Sequence, residues 1–204
     1  MRALRTPLAS LAVLAVGLAV LAFATEGFRA FTSESARRIV VSEHPREVPS
    51  VALQTAAGER TSFSKLHGRW LLVDFIYTRC ETYCLAQGGE FARLQRRLAE
   101  PIAAGQVLLV SVSFDPRDGP RELADYQRRF GDRGAGWMAA RALDDDGRMA
   151  LMRAFGVTAV ADEMGGFVHN AAINLVDPAG RLVAIRDWDD ARGAADYVMQ
   201  RLAP

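Results

Sequence analysis

The chain is poor in cysteine, histidine and lysine. Of its 204 residues two are cysteine (Cys80 and Cys84), three are histidine (His44, His67 and His169) and one is lysine (Lys65), so positive charge is carried almost wholly by arginine. Two thiols four residues apart staple no fold; they mark a place for chemistry. An excess of either charge is also missing. With Arg2 and Arg5 of the amino-terminal segment set aside, 23 of the 25 basic residues remain against 24 acidic ones. That balance gives no support for nucleic-acid binding, which calls for a strongly basic face. Internal repeats and low-complexity tracts are absent.

What is present begins with residues 6–25, a run of 20 without a charge, dominated by Leu, Ala and Val. At 1.5 Å per residue such a helix spans about 30 Å, one bilayer core. Arg2 and Arg5 on its amino-terminal side hold that end in the cytoplasm and send the remainder across. Residues 1–25 are therefore read as an N-terminal transmembrane anchor in the inner (cytoplasmic) membrane; the small-x-small triplet Ala22-Phe23-Ala24 also fits a cleaved signal peptide. In both cases the rest faces the periplasm or outer side, where thiols oxidise unless they are reduced or metallated. Residues 26–48 mix charges with Ser, Thr and Pro and read as a tether, helical in part. Residues 49–204 are enough for one domain with a sizeable core.

Within that domain, residues 51–54 and 61–66 flank the turn signal Ala57-Gly58-Glu59 and predict an entry hairpin. The apolar run 70–77 predicts a buried strand ending just before Cys80. Phe91, Leu94 and Leu98 at helical spacing predict a helix over 90–98. Further along, the pattern predicts a strand at 107–113, helices at 119–130 and 144–155, strands at 171–176 and 181–185 joined by Asp177-Pro178-Ala179-Gly180, and a closing helix at 189–202. Strand-helix-strand-helix followed by a hairpin and a last helix is an α/β order, that of a thioredoxin-like domain with a central mixed β-sheet flanked by helices. There the cysteines sit where the first core strand meets the amino terminus of a helix, whose dipole favours the thiolate. If both lay in the first helical turns, their β-carbons would stand about 5 to 6 Å apart.

His169 is the histidine that this topology brings to the cysteines. His44 lies in the tether, and His67 lies before the first long strand, at the end away from Cys80. Two thiolates and one imidazole make a soft, low-coordinate set that suits Cu(I), and Cu(II) when another donor or water joins. A closed zinc site wants a fourth ligand, which is lacking; calcium and magnesium prefer oxygen donors. Met164, just before the histidine, is a further soft donor to weigh against simple packing. The same dithiol can instead perform thiol–disulfide exchange, although the usual spacing for that is C-x-x-C.

Three blocks carry a family resemblance: Val73-Asp74-Phe75-Ile76-Tyr77-Thr78-Arg79-Cys80 with Cys84, then Ser111-Val112-Ser113-Phe114-Asp115-Pro116-Arg117-Asp118, then His169 before Leu175-Val176-Asp177-Pro178-Ala179-Gly180. In this order and spacing, over roughly residues 49–202, they resemble the Sco/SenC copper chaperones of cytochrome c oxidase assembly. The resemblance implies one copper ion held by Cys80, Cys84 and His169, a membrane tether through the N-terminal helix, and a copper-receiving subunit of a respiratory oxidase as partner. It also implies that an acidic residue of the Asp115–Asp118 block supports the copper site or partner docking; the plainer reading makes Asp115 and Asp118 turn and cap residues. The chain departs from the family in having Glu81 and Leu85 where proline follows each cysteine. Two other readings share the cysteines: a thiol–disulfide oxidoreductase that reduces the oxidase's copper-site cysteines, and a copper or redox sensor.

Overall fold

The structure, a computed structural model, describes residues 5–80, 83–130, 136–163 and 165–203, with the backbone alone at 5, 6, 8 and 83–85. The chain forms two compact units, Met1–Glu43 and His44–Pro204. The first unit contains α1 (Arg5–Ala24) and α2 (Ser33–Glu43). Thr25 closes α1, its hydroxyl donating to the Leu21 carbonyl at 2.6 Å and accepting from the Phe28 amide at 3.0 Å. α2 lies in the segment expected as a tether and is locally encoded. Thr32 and Ser35 accept each other's amides at 3.1 Å, a reciprocal cap, while Glu34 in the first turn pairs with Arg37 and Arg38. Among the described residues no helix is long and apolar enough to cross a membrane.

The second unit runs β1 (Arg46–Glu47), β2 (Ala52–Thr55), β3 (Arg60–Ser62), a 3-10 turn (Phe63–Leu66), β4 (Trp70–Ile76), α3 (Tyr83–Arg97), α4 (Ala99–Ala103), β5 (Val107–Ser113), α5 (Pro120–Arg129), β6 (Trp137–Ala142), α6 (Asp145–Phe155), β7 (Ala159–Ala161), β8 (Phe167–His169), β9 (Ala172–Val176), β10 (Arg181–Asp187) and α7 (Ala191–Leu202). Among the described residues the strands make one mixed sheet in the order β1-β10-β9-β4-β5-β6-β2-β3, and β7 pairs with β8 in a separate hairpin. β4, β5 and β6 are parallel, whereas β9 runs antiparallel to β4. This is a mixed α/β sheet flanked by helices, consistent with the thioredoxin-like order expected.

β4 is buried at all seven positions, as a central strand covered on both faces must be. Its alternate residues point to opposite faces. Leu72 and Ile76 share one core cluster with Phe91 and Leu94 of α3, with Leu98 just beyond that helix, and with Ala194 and Val198 of α7. On the other face Phe75 packs on Phe155 of α6 with ring centroids 5.1 Å apart, and Phe155 on Phe63 at 5.9 Å. β4 and its flanking helices are therefore fixed by burial, which sets where the chain emerges toward Cys80.

Several elements differ from expectation. Residues 63–66 form a 3-10 turn rather than the end of a strand, and α3 begins at Tyr83 rather than at Glu90. β6 was not expected: Trp137–Ala142 is rich in alanine and becomes a strand by pairing with β5 and β2, the tertiary context deciding. No strand was expected at His169, which lies on β8 paired with Ala159 of β7. His67 is where expected: it stands against the Cα of Gly180, which takes the left-handed φ of 85° in the β9–β10 turn, at the end of β4 remote from Cys80.

β4 also buries a carboxyl. Asp74 is fully buried, and neither of its oxygens has a hydrogen-bond partner among the described residues. Burial pushes its pKa up to about 8, the opposing pull of the Ser111 hydroxyl being the smaller effect. Ser111 is its register partner on β5 and accepts the Trp137 indole N–H at 2.9 Å. Asp74 is accordingly protonated at neutral pH.

Candidate functional site

Beyond its last residue β4 delivers Tyr77, Thr78, Arg79 and Cys80 in a turn in which the Cys80 amide donates to the Tyr77 carbonyl at 3.3 Å. The β7–β8 hairpin delivers His169 from the other side. Cys80 and His169 line one cleft of about 370 Å³ with Tyr77, Asp162, Phe167 and Trp188. Cys80 is buried, 5% exposed. His169 thus stands at the Cys80 end of β4.

The described residues do not include the thiol of Cys84. Its backbone is the second residue of α3. Cys80 precedes that helix, so the one-turn spacing considered for two cysteines inside a helix does not apply to the pair. Glu81 and Met164 lie outside the described residues. Among the described residues, no three or more His, Cys, Asp or Glu side chains are grouped to hold a metal ion; the Cys84 thiol is not among those compared.

The environment of His169 favours its neutral form. The Phe114 and Tyr77 rings lie 5.1 and 6.3 Å from the imidazole, centroid to centroid. Burial lowers its pKa to about 4. At pH 7 the ring is therefore uncharged and one nitrogen can serve as a ligand. A neutral imidazole and a buried thiol in an aromatic cleft form a soft donor set, which fits a monovalent copper ion better than a hard cation. The hairpin is held at its base by Asn170, whose Oδ1 accepts from the Thr158 amide at 2.8 Å and whose Nδ2 donates to the Gly156 carbonyl at 3.0 Å.

Asp115 is a turn residue, its Oδ1 accepting from the Arg117 amide at 2.9 Å, but both Asp115 and Asp118 also hold other side chains. The buried Asp118 carboxylate accepts from the Thr78 amide at 2.9 Å, the Thr78 hydroxyl at 2.7 Å and the Ser113 hydroxyl at 2.6 Å, tying the cysteine turn to the end of β5. The helix cap falls to Glu122, which accepts from the Gly119 amide. Asp115 accepts from Arg79 at 2.7 Å and from Arg117 through two nitrogens at 2.8 to 3.1 Å. Burial pushes the Asp115 carboxyl up, but the hydrogen bonds and charges of Arg117 and Arg79 outweigh it and hold it below the ordinary carboxylate range.

Asp118→Ala leaves three buried donors without their acceptor. It is expected to lower unfolding stability by about 3 kcal/mol, as read by urea denaturation; a loss below about 1 kcal/mol would show that the cysteine turn does not depend on this carboxylate.

Sequence reasoning missed Arg79 and Arg117, although both stand inside the blocks that drew attention to Cys80 and to Asp115. It also missed the aromatic wall of Tyr77, Phe114 and Phe167, whose ring centroids lie 5.3 to 5.7 Å apart.

The domain is a mixed α/β fold of thioredoxin-like order that places a thiol just beyond its central strand in one cleft with a neutral histidine from a neighbouring hairpin. The chain belongs to the SCO1/SenC family, whose model matches residues 41–202. It is 27% identical over 141 residues to the SCO1 protein homolog of Bacillus subtilis (strain 168), a match covering 67% of this chain and 72% of that protein. Among solved structures it is similar to Arabidopsis thaliana ScoI with copper bound, with a TM-score of 0.63, 20% identity and coverage of 74% of this chain and 98% of that one. It is also similar to BsSco, described as a member of the Sco family of cytochrome c oxidase assembly proteins, with a TM-score of 0.67, 24% identity and coverage of 77% and 94%.

Proposed function

We propose that this protein is a membrane-tethered copper chaperone that carries one copper ion as cargo on Cys80, Cys84 and His169 and delivers it to the copper-receiving subunit of a respiratory oxidase. The observation that carries the reading is the shared cleft of Cys80 and His169, with the imidazole kept neutral by burial. Membership of the SCO1/SenC family and the copper in the related Arabidopsis protein support the metal; the description of BsSco supports the oxidase. Thiolates of the acceptor would replace Cys80 and Cys84 in turn, and His169, the one neutral donor, would leave first.

The tether is read from the uncharged residues 6–25 of the sequence. Arg2 and Arg5 would keep its start in the cytoplasm, so that the domain of residues 49–204 works on the outer face of the membrane.

Cu(I) competition titration of the full-length protein in detergent, together with an insulin-type disulfide reduction assay, tests the reading. The expected result is one Cu(I) per chain, weakened by His169→Ala, with reduction near background. Disulfide reduction that needs both cysteines, with copper binding indifferent to His169, would point to the oxidoreductase instead.

A further inference from the structure

The cysteine turn and the histidine hairpin are distant in sequence. The hairpin runs through Asn170 and Ala171 into β9, which pairs with β4, but among the described residues it forms no ladder of its own with the main sheet. Its position over the cleft therefore also depends on side chains. Arg117 reaches across. One edge of its guanidinium, Nε and Nη2, donates to the Asp115 carboxylate, which also holds Arg79 beside Cys80. The same Nη2 donates to the Gly165 carbonyl at 2.9 Å, and the guanidinium carbon lies 5.6 Å from the Phe167 ring centroid, within cation–π range. Tyr77 adds a second point of attachment by donating to the Phe167 carbonyl at 3.1 Å. Gly166 allows the close approach: a Cβ there would stand 3.0 Å from Tyr77 Oη and 2.8 Å from Asp162 Oδ2.

From this geometry we infer that Arg117 is a positioning residue, a latch that fixes the His169 hairpin against the cysteine turn through Asp115 on one side and Gly165 and Phe167 on the other. The Asp115 side chain is fully buried and therefore fixed, whereas Arg117 is 46% exposed. A half-exposed ion pair adds little to global stability, so the latch acts on where His169 sits rather than on whether the domain folds. A lysine cannot replace it, because a single ammonium lacks the planar fork that holds a carboxylate and a carbonyl together. The role in copper binding rests on the proposed function; the role in holding the hairpin does not.

The test compares the full-length parent with Arg117→Ala and Arg117→Lys in detergent. In the metal-free proteins, amide hydrogen exchange across residues 165–169 is expected to quicken at least about tenfold in Arg117→Ala, the factor that one lost charge-assisted hydrogen bond supplies, while β4 and β5 keep the parent rates. Cu(I) affinity is expected to fall about 10- to 100-fold, as for other residues that orient a metal ligand, and Arg117→Lys is expected to recover less than half of either effect on a logarithmic scale. Hairpin exchange at the parent rate in Arg117→Ala would overturn the latch whatever the copper result. So would an acceleration spread evenly over the core, or full rescue by lysine. If the parent binds no copper, the proposed function fails, and the exchange measurement still decides the latch.

Discussion

Cys80→Ser is expected to weaken Cu(I) binding by more than about 100-fold, beyond the range typical of changes outside the ligand shell. The substitution exchanges a soft sulfur for a hard oxygen of nearly the same size. The fold should tolerate it, because Cys80 sits in a turn after β4 and not in the layers that meet Leu72 and Ile76. His169→Ala should weaken binding by less, since it removes the one neutral donor and leaves both thiolates. Competition against a chromophoric Cu(I) chelator, with urea denaturation of the same preparations, separates lost ligation from lost folding. A Cys80→Ser protein that kept parent affinity would remove the thiol of the described cleft from the metal site.

Asp74→Asn is expected to change the pH dependence of stability by an amount as large. In the folded protein Asp74 titrates at about 8 instead of 3.8, so between those values the folded state holds one proton that the unfolded state has released. Stability then falls as pH rises, by about 1.4 kcal/mol per pH unit, and levels off above pH 8. His169 has the opposite sign. Its pKa is lowered from 6.5 to about 4, so the folded state holds one proton fewer between those values and stability rises with pH. The two slopes nearly cancel from pH 4 to 6.5. Asp74 acts alone from there to pH 8, where the parent is expected to lose about 2 kcal/mol.

In Asp74→Asn the lower window should show the rise due to His169 and the upper window should be flat. From pH 4 to 8 the variant gains on the parent by about 5 kcal/mol. Asp115, whose pKa is lowered, contributes stability above its unfolded value that is lost only as pH falls through its lower folded one, outside this window. Urea denaturation at pH 4.5, 6.5 and 8 checks all of this; parallel curves for parent and variant would mean that the Asp74 carboxyl is not buried as a neutral group.

What was legible in the sequence follows from what burial writes into it. β4 is an unbroken apolar run apart from Asp74, and β5 was predicted with the bounds that it has, because central parallel strands are apolar at nearly every position. The apolar spacing of Phe91, Leu94 and Leu98 located α3, but its start at Tyr83 lies in a glycine- and polar-rich stretch that carries no such signal. β6 carries little intrinsic preference for a strand and owes its state to β5 and β2.

His169 was picked out by topology, since few histidines competed and the other two lay at the wrong places. Asp115 and Asp118 stand out in the sequence, but their roles do not. Two of their partners, Thr78 and Arg79, come from a segment that only the folded chain brings to them, and hydrogen bonds between such segments leave no periodicity to read; Arg117 and Ser113 stand in the same block, where nothing in the sequence marks them as partners. A carboxylate that serves as the hub of a turn looks in sequence like any cap.

The proposed function depends on Cys80, Cys84 and His169 ligating a single copper ion. Copper K-edge X-ray absorption on the Cu(I)-loaded full-length protein addresses it most directly, repeated on Cys84→Ser and His169→Ala. The expected result is a first shell of two thiolate sulfurs and one imidazole nitrogen, with one sulfur lost in Cys84→Ser and the imidazole scattering lost in His169→Ala. A first shell without sulfur, or one that neither substitution alters, would contradict it.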